Sequence, residues 1–120
     1  MVSQTRAKRI ANRIHEELST LMMVEIADPR IASAYITKVR VDRELAFASI
    51  YVSSLEGREL EAEIIEGMNH AKGFLRSELA HRVQLRYFPQ LRFYWDPSPE
   101  HADRINALIA SLDDEETNPM

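Results

Sequence analysis

Two neighbouring segments with alternating apolar and polar residues constrain the fold of this 120-residue chain most strongly. Residues 34–41, AYITKVRV, and residues 46–53, AFASIYVS, each follow the two-residue period of a β-strand. The residues between them, 42–45, are polar and few enough to close an antiparallel hairpin. A hairpin is marginal by itself, so its apolar face has to be covered by other parts of the chain.

Strict alternation also assigns side chains to the two faces of this hairpin. In the second strand the core-facing set is Ala46, Ala48, Ile50 and Val52. The small alanines indicate that a helix lies close to that face. In the first strand alternation separates Ile36, Lys38 and Arg40 from Tyr35, Thr37, Val39 and Val41.

Apolar residues at steps of three and four predict the helices that cover the hairpin. The first stripe, within residues 4–24, is Ile10, Ile14, Leu18, Leu21 and Met22. The second is Leu60, Ile64, Met68 and Ala71, and the third is Leu75, Leu79 and Val83, joined by Phe74. Residues 91–95 predict a third strand. After Pro97 and Pro99, with Ser98 as an N-cap candidate, a last helix carries Ile105, Leu108, Ile109 and Leu112.

We therefore predict an α+β fold of order αββααβ with an extra C-terminal helix. Its three-stranded sheet carries helices on one face, which would bury the apolar stripes. Residues 1–112 form one domain, and residues 113–120 form an acidic, disordered tail.

The stretch HAKGFLRSEL, residues 70–79, places Gly73 between the second and third apolar stripes. Glycine is disfavoured inside a helix by about 1 kcal/mol relative to alanine, so we expect a break there. Two helices and one bent helix fit the pattern equally well. Small residues at Ala71 and Gly73 would permit a sharp bend close to the sheet, and free N–H groups after the break could hold a phosphate beside Lys72 and Arg76.

Composition excludes several classes of function. The chain has no cysteine, which removes disulfides, thiolate catalysis and cysteine-based zinc sites. It has no apolar run of the roughly 20 residues needed to span a bilayer and no secretory signal pattern, so we expect a cytoplasmic protein without membrane contact. No nucleophile elbow, phosphate loop or dinucleotide fingerprint is present. Glu66 and His70 could meet on one helical turn, but no further clustered ligands accompany them. We therefore expect no enzyme activity, no metal site and no cofactor.

The net charge of −4 conceals basic segments that are separated from acidic ones. Such local patches neutralise phosphates in a largely sequence-independent way, which favours nucleic-acid binding. The candidate residues are Arg6, Lys8, Arg9, Arg13, Lys38, Arg40, Arg43, Lys72, Arg76, Arg82 and Arg86, together with the break at Ala71 and Gly73. Arg82 and Arg86 could equally be ordinary solvated residues at a helix end. Nearby aromatic residues could stack on bases, but packing is the more common role: Tyr87, Phe88, Tyr94 and Trp95.

The αββααβ order resembles a type II K-homology domain, whose G-x-x-G loop clamps a nucleic-acid backbone. Here an Ala-x-Gly kink replaces that loop, as in the bacterial ribosome-binding factor A family. The resemblance covers about residues 3–112. Its signatures are RIANRIHEELSTLMMVEIADPRI, ASIYVSS, AKGFLRSELAHRVQLRYFPQLRFYWDPS and RINAL.

This resemblance implies a non-catalytic, monomeric assembly factor. Its partners would be the small (30S) ribosomal subunit and 16S rRNA late in maturation. It would assist processing and placement of the 5′ end of that rRNA, support growth in the cold, and leave with help from assembly GTPases. Without a G-x-x-G loop we expect phosphate and shape contacts on structured rRNA. The alternative is a protein–protein interaction module of similar fold that makes no contact with RNA.

Overall fold

The computed structural model describes residues 1–24, 26 and 28–117, and contains four helices and three strands within them. They are α1 (Gln4–Val24), β1 (Ala34–Val41), β2 (Phe47–Ser54), α2 (Glu61–His70), α3 (Lys72–Arg82), β3 (Gln90–Trp95) and α4 (Ser98–Thr117). One-turn 3₁₀ helices, Pro29–Ile31 and Arg58–Leu60, precede β1 and α2. The predicted α+β class and element order are confirmed. β2 is shifted by one residue at both ends, and β3 begins one residue earlier than predicted.

The three strands form one sheet in the order β1-β2-β3. β1 pairs antiparallel with β2 as the predicted hairpin, and β3 pairs parallel with β2. A parallel neighbour requires a long crossover connection. Helices α2 and α3 supply that crossover, and for this reason they are placed against the sheet.

One face of the sheet carries the hydrophobic core. The alternating residues Ala48, Ile50 and Val52 of β2 are fully buried, as predicted. Ala46, which was predicted to face the core with them, precedes the strand and is exposed. They join one cluster with the buried residues of α1, α2 and α3, which include Ile14, Leu18, Leu21, Ile64, Met68, Leu75 and Leu79. The periodic stripes of these three helices therefore form the core together with the sheet.

The predicted assignment of faces in β1 is wrong, because the strand contains a β-bulge. Ile36 pairs with Val52, but Lys38 pairs with Tyr51, so Thr37 is an extra residue on the β1 side. Ile36 and Val39 are consequently both buried, although they are three positions apart. Lys38 and Arg40 are exposed on the opposite face of the sheet.

The α2–α3 junction is a single residue, Ala71, rather than a loop. A Cβ atom added at Gly73 would meet nothing within 4 Å, so the bend does not require a glycine there, contrary to our expectation. Gly67 is the restricted position, because its added Cβ would lie 2.8 Å from Ile31 Cγ2 and 3.2 Å from Arg30 Cβ. The inclusion of Phe74 in the buried stripe was also wrong, since this side chain is 46% exposed.

Helix α4 does not pack as the sequence predicts. Its apolar residues Ile105, Leu108, Ile109 and Leu112 are each more than half exposed, so this stripe does not join the core. The core face of the sheet is already covered by α1–α3, which leaves α4 to extend from the domain and give the molecule dimensions of 66 × 35 × 21 Å. The helix runs to Thr117, within the segment 113–120 that is predicted to be an acidic tail, and residues 118–120 lie outside the described residues. At its start, the Asp96 carboxylate accepts a hydrogen bond from the Ser98 backbone N–H at 2.9 Å.

Candidate nucleic-acid interface

A groove between α1 and β1 brings four predicted basic residues together. Gln4, Lys8, Asn12 and His15 line it from α1, where steps of three and four place side chains on one side of a helix. Residues 37–43 line it from β1 and the turn that follows, and supply Lys38, Arg40 and Arg43. The cavity measures about 700 Å³. This volume and its four basic residues suit an extended, negatively charged chain such as a nucleic-acid backbone.

Arg43 also holds the end of this groove in place. Its Nε donates a hydrogen bond to the Val2 carbonyl at 2.9 Å, and the Val2 N–H donates to the Arg43 carbonyl at 2.8 Å. The N-terminus is thereby fixed to the β1–β2 hairpin. Lys8, one turn into α1, is positioned relative to Lys38 and Arg40 by the same anchor.

A second basic cluster lies where α1 passes the end of α3. Arg6, Arg9 and Arg13 line a shallow depression together with residues 83–85. Acidic neighbours compensate part of this charge: Glu17 lies 3.2 Å from Arg13 and 3.4 Å from Arg82. Arg82 also approaches Glu78 at 4.0 Å. This cluster therefore offers less uncompensated positive charge than its sequence indicates.

The predicted residues near the α2–α3 junction are engaged within the fold. Arg76 donates to the carbonyls of Phe88 at 2.6 Å and Pro89 at 3.1 Å, which ties α3 to the segment entering β3. The Lys72 ammonium lies 5.9 Å from the ring centroid of Phe93. These contacts give Arg76 a structural role. Ala71, Lys72 and Gly73 are not among the residues that line the groove between α1 and β1.

Sequence reasoning missed a third surface, the face of the sheet opposite the core. Phe47, Tyr51, Arg92 and Tyr94 lie there with Lys38 and Arg40. The alternation of β2 already placed Phe47 and Tyr51 away from the core. The register between strands was needed to bring them next to Arg92 and Tyr94.

The four aromatic residues that we considered for base stacking have different environments. Phe88 is buried and Trp95 is partly buried against the core, which fits the packing role. Tyr87 is 75% exposed in the segment before β3, where the Arg86 guanidinium lies 5.6 Å from its ring centroid. Tyr94 is 41% exposed on the open side of the sheet. Only Tyr94 therefore belongs to a surface shared with several basic residues.

The sequence profile of ribosome-binding factor A matches residues 6–109. The chain belongs to this family.

Relatives agree with this assignment over most of the chain. Ribosome-binding factor A of Thiobacillus denitrificans is 42% identical over 104 residues, which span 87% of this chain and 84% of the relative. The solution structure of a ribosome-binding factor A homologue from Thermotoga maritima superposes with a TM-score of 0.66 at 29% identity, over 78% of this chain and 90% of that one. A homology model of the Thermus thermophilus factor, fitted into a cryo-electron-microscopy map of a 30S complex, has the same fold at 24% identity, with a TM-score of 0.55 over 77% and 92% of the two chains.

Among the described residues of this member of the ribosome-binding factor A family, three carboxylates have lowered pKa values. The Arg30 side chain donates to Asp28 at distances from 2.7 to 3.1 Å and lowers the pKa of Asp28 to about 2. A hydrogen bond from the Thr37 hydroxyl lowers the pKa of Asp96. Partial burial raises the pKa of Asp42, but backbone N–H groups that include those of Phe47 and Ala46 lower it by more. Each carboxylate is thus stabilised as an anion by a structural contact.

The described residues of this family member contain neither a group that could hold a metal ion nor a helix that could span a membrane. Its described residues contain no group of three or more histidines and acidic residues arranged to hold a metal ion. Glu66 instead approaches Arg30, with 3.5 Å between their charged atoms. Across the same residues, no helix combines the length and apolar character needed to cross a bilayer.

Proposed function

We propose that this protein is a cytoplasmic, non-catalytic factor that binds the small (30S) ribosomal subunit through 16S rRNA. Its family is named for ribosome binding, and the Thermus thermophilus relative is described in a 30S complex. The observation that carries the proposal is the groove between α1 and β1, where Lys8, Lys38, Arg40 and Arg43 converge. Basic side chains grouped in this way bind phosphates with an affinity that falls steeply as salt rises.

The finer role follows from the family resemblance. We propose that binding occurs late in subunit maturation, that it assists processing and placement of the 5′ end of 16S rRNA, and that it supports growth in the cold. The protein would act as a monomer and leave the mature subunit with help from assembly GTPases. No step in this role requires a cofactor or a reacting side chain.

Sedimentation with purified small subunits across a salt series tests the proposal. We expect binding to weaken as salt rises, and the triple variant Lys8→Glu/Lys38→Glu/Arg40→Glu to bind at least tenfold more weakly. Arg58→Glu is the matched control, because Arg58 is an exposed basic residue in the 3₁₀ turn before α2, outside the groove. Equal binding by the folded triple variant, the control and the natural protein would overturn RNA contact through the groove.

The exposed apolar row of α4 supports the second candidate, a protein–protein interaction module. Leu108 and Ile109 are 62% and 52% exposed, and solvent-exposed apolar rows of this kind often mark protein contacts. The double variant Leu108→Asp/Ile109→Asp separates the two candidates in the same assay. If it abolished subunit binding while the groove variant kept it, the protein–protein function would replace RNA binding.

A further inference from the structure

The face of the sheet that lies away from the core has an ordered arrangement of aromatic and basic side chains. Strand register places them in three cross-strand rows: Phe47 beside Gln90; Arg40, Ser49 and Arg92; and Lys38, Tyr51 and Tyr94. We call these eight residues the open face. Helices α1, α2 and α3 pack on the opposite side of the sheet, with the core.

The aromatic rings of the open face form a surface rather than isolated contacts. The rings of Tyr51 and Tyr94 are stacked, with centroids 5.5 Å apart and planes inclined by 30°. In the neighbouring rows the Arg92 guanidinium lies over the ring of Phe47, 3.4 Å from its centroid. Flat aromatic and guanidinium groups are the side chains on which unpaired bases stack.

Positive charge surrounds these rings. The Lys38 ammonium lies 5.0 Å from the ring centroid of Tyr51, and Arg40 and Arg92 occupy the two outer strands of the middle row. Asp96, at one end of the face, is the acidic neighbour that offsets part of this charge. Its carboxylate accepts from the Thr37 hydroxyl at 2.7 Å and from the Ser98 N–H at 2.9 Å, so it is held in place by the fold.

The open face is continuous with the groove between α1 and β1. Lys38 and Arg40 belong to both, because β1 is the edge strand between them. A single strand whose phosphates follow Lys8, Lys38 and Arg40 would reach the exposed ring of Tyr94 with its bases. If β1 alternated regularly from Ile36 onwards with Thr37 paired, Lys38 and Arg40 would lie on the core side of the sheet. The bulge at Thr37 therefore places both residues on the open face.

We propose that the open face binds unpaired RNA nucleotides, with a base stacked on Tyr94, which Tyr51 supports from behind, and phosphates held by Lys38, Arg40 and Arg92. This inference rests on the proposed function and names the part of the RNA that is recognised. It differs from the sequence-based expectation of phosphate and shape contacts on structured rRNA alone. Double-stranded RNA does not fit, because its base faces are already stacked and the rings would have no surface to contact.

The composition of the open face also distinguishes RNA from a protein partner. Seven of its eight side chains carry a polar or charged group, and Phe47, the exception, is covered by Arg92. The centre of a protein–protein interface is depleted of charged residues. Three basic residues around two tyrosines instead match a ligand that is flat, aromatic and negatively charged.

Fluorescence anisotropy with a labelled ten-nucleotide oligoadenylate RNA and with a ten-base-pair RNA duplex tests this inference. We expect Tyr94→Leu to bind the oligoadenylate about tenfold more weakly, the usual scale for loss of one stacked base, and the duplex within twofold of the natural protein. Tyr87→Leu is the matched control, since Tyr87 is an exposed tyrosine outside the sheet, and it should bind both RNAs normally. Arg92→Gln provides a second open-face variant whose exposed side chain is not needed for the core.

Each result decides the inference. Tenfold losses confined to the oligoadenylate, in Tyr94→Leu and Arg92→Gln but not in Tyr87→Leu, would support it. It would be overturned by open-face variants that bind the oligoadenylate like the natural protein, or by a natural protein that sediments with small subunits but does not bind the oligoadenylate. Open-face variants that lose subunit binding while keeping both RNAs would assign this face to a protein partner. Failure of the natural protein to sediment with small subunits would instead overturn the proposed function itself.

Discussion

The two faces of the sheet are built from the same three strands but have opposite properties. On the face covered by helices, Ala48, Ile50 and Val52 of β2 are fully buried. On the open face, the alternate residues Phe47, Ser49 and Tyr51 lie between strands that carry exposed basic side chains. Successive side chains of β2 thus point alternately into the core and onto the open face. This separation means that the open face can change its chemistry with little effect on the packing that holds the fold.

The sharpest test of this separation compares Ile50→Ala with Tyr94→Leu. Ile50 is fully buried, so removing its side chain should lower the free energy of unfolding by about 2–5 kcal/mol. Tyr94→Leu should change it by less than about 1 kcal/mol, since this residue is partly exposed and loses mainly its contact with Tyr51. Urea denaturation measures both values. Losses of similar size would mean that the open face is part of the stabilising core.

Gly67 and Gly73 extend the comparison to the helices that cover the sheet. A methyl group at Gly67 would collide with Ile31 Cγ2, and overpacking of this kind typically destabilises by about 1–3 kcal/mol. A methyl group at Gly73 would meet no atom and would favour the helix, so Gly73→Ala should stabilise by up to about 1 kcal/mol. Thermal denaturation of the two alanine variants measures both effects. A melting temperature lowered as much by Gly73→Ala as by Gly67→Ala would contradict this expectation.

Thr37 tests the boundary between the two faces. Its hydroxyl donates to Asp96 Oδ2 at 2.7 Å, so Thr37→Val should lower the free energy of unfolding by about 1–2 kcal/mol. The pKa of Asp96 should also rise towards its ordinary value, which NMR titration of the carboxyl carbon would detect. Thr37→Ser keeps the hydroxyl and is the control. An unchanged Asp96 titration in Thr37→Val would show that this hydrogen bond does not set its pKa.

The smallest expected effect concerns acid stability near the covered face. The pKa of Asp28 is lowered from 3.8 to about 2 in the folded protein, so the unfolded chain binds the proton more readily. Its contribution to stability is therefore complete above about pH 4 and is lost as the pH falls towards 2. Asp28→Asn should flatten the pH dependence of the urea midpoint over this interval. A profile unaltered by Asp28→Asn would exclude a role for the contact with Arg30.

Sequence periodicity predicted the parts of this fold in which one local rule acts. The stripes of α1, α2 and α3 and the alternation of β2 all reach the core, because burying an apolar face is the dominant requirement for these segments. The α4 stripe shows the limit of this argument. Its period identifies an apolar side, but whether that side finds a covering surface depends on how α1–α3 occupy the sheet.

The candidate site was less predictable, because its geometry depends on relations between distant segments. Gly67 has no local signal, since its restriction comes from Ile31 on another part of the chain. Arg76 resembled an exposed phosphate ligand, yet it is directed to the carbonyls of Phe88 and Pro89. Arg92 and Tyr94 became neighbours of Phe47 and Tyr51 only through the parallel register of β2 and β3.

The bulge at Thr37 has a consequence for insertions and deletions in this strand. Removing one residue from a paired strand usually moves every side chain on one side of the deletion to the opposite face of the sheet. Ile36 and Lys38 pair with Val52 and Tyr51, which are consecutive in β2, so Thr37 has no partner in the ladder. A chain without Thr37 would therefore keep Ile36 and Val39 inside and Lys38 outside. Natural variants of different length in β1 should therefore be tolerated at this position before any other, with the contact to Asp96 as the main loss.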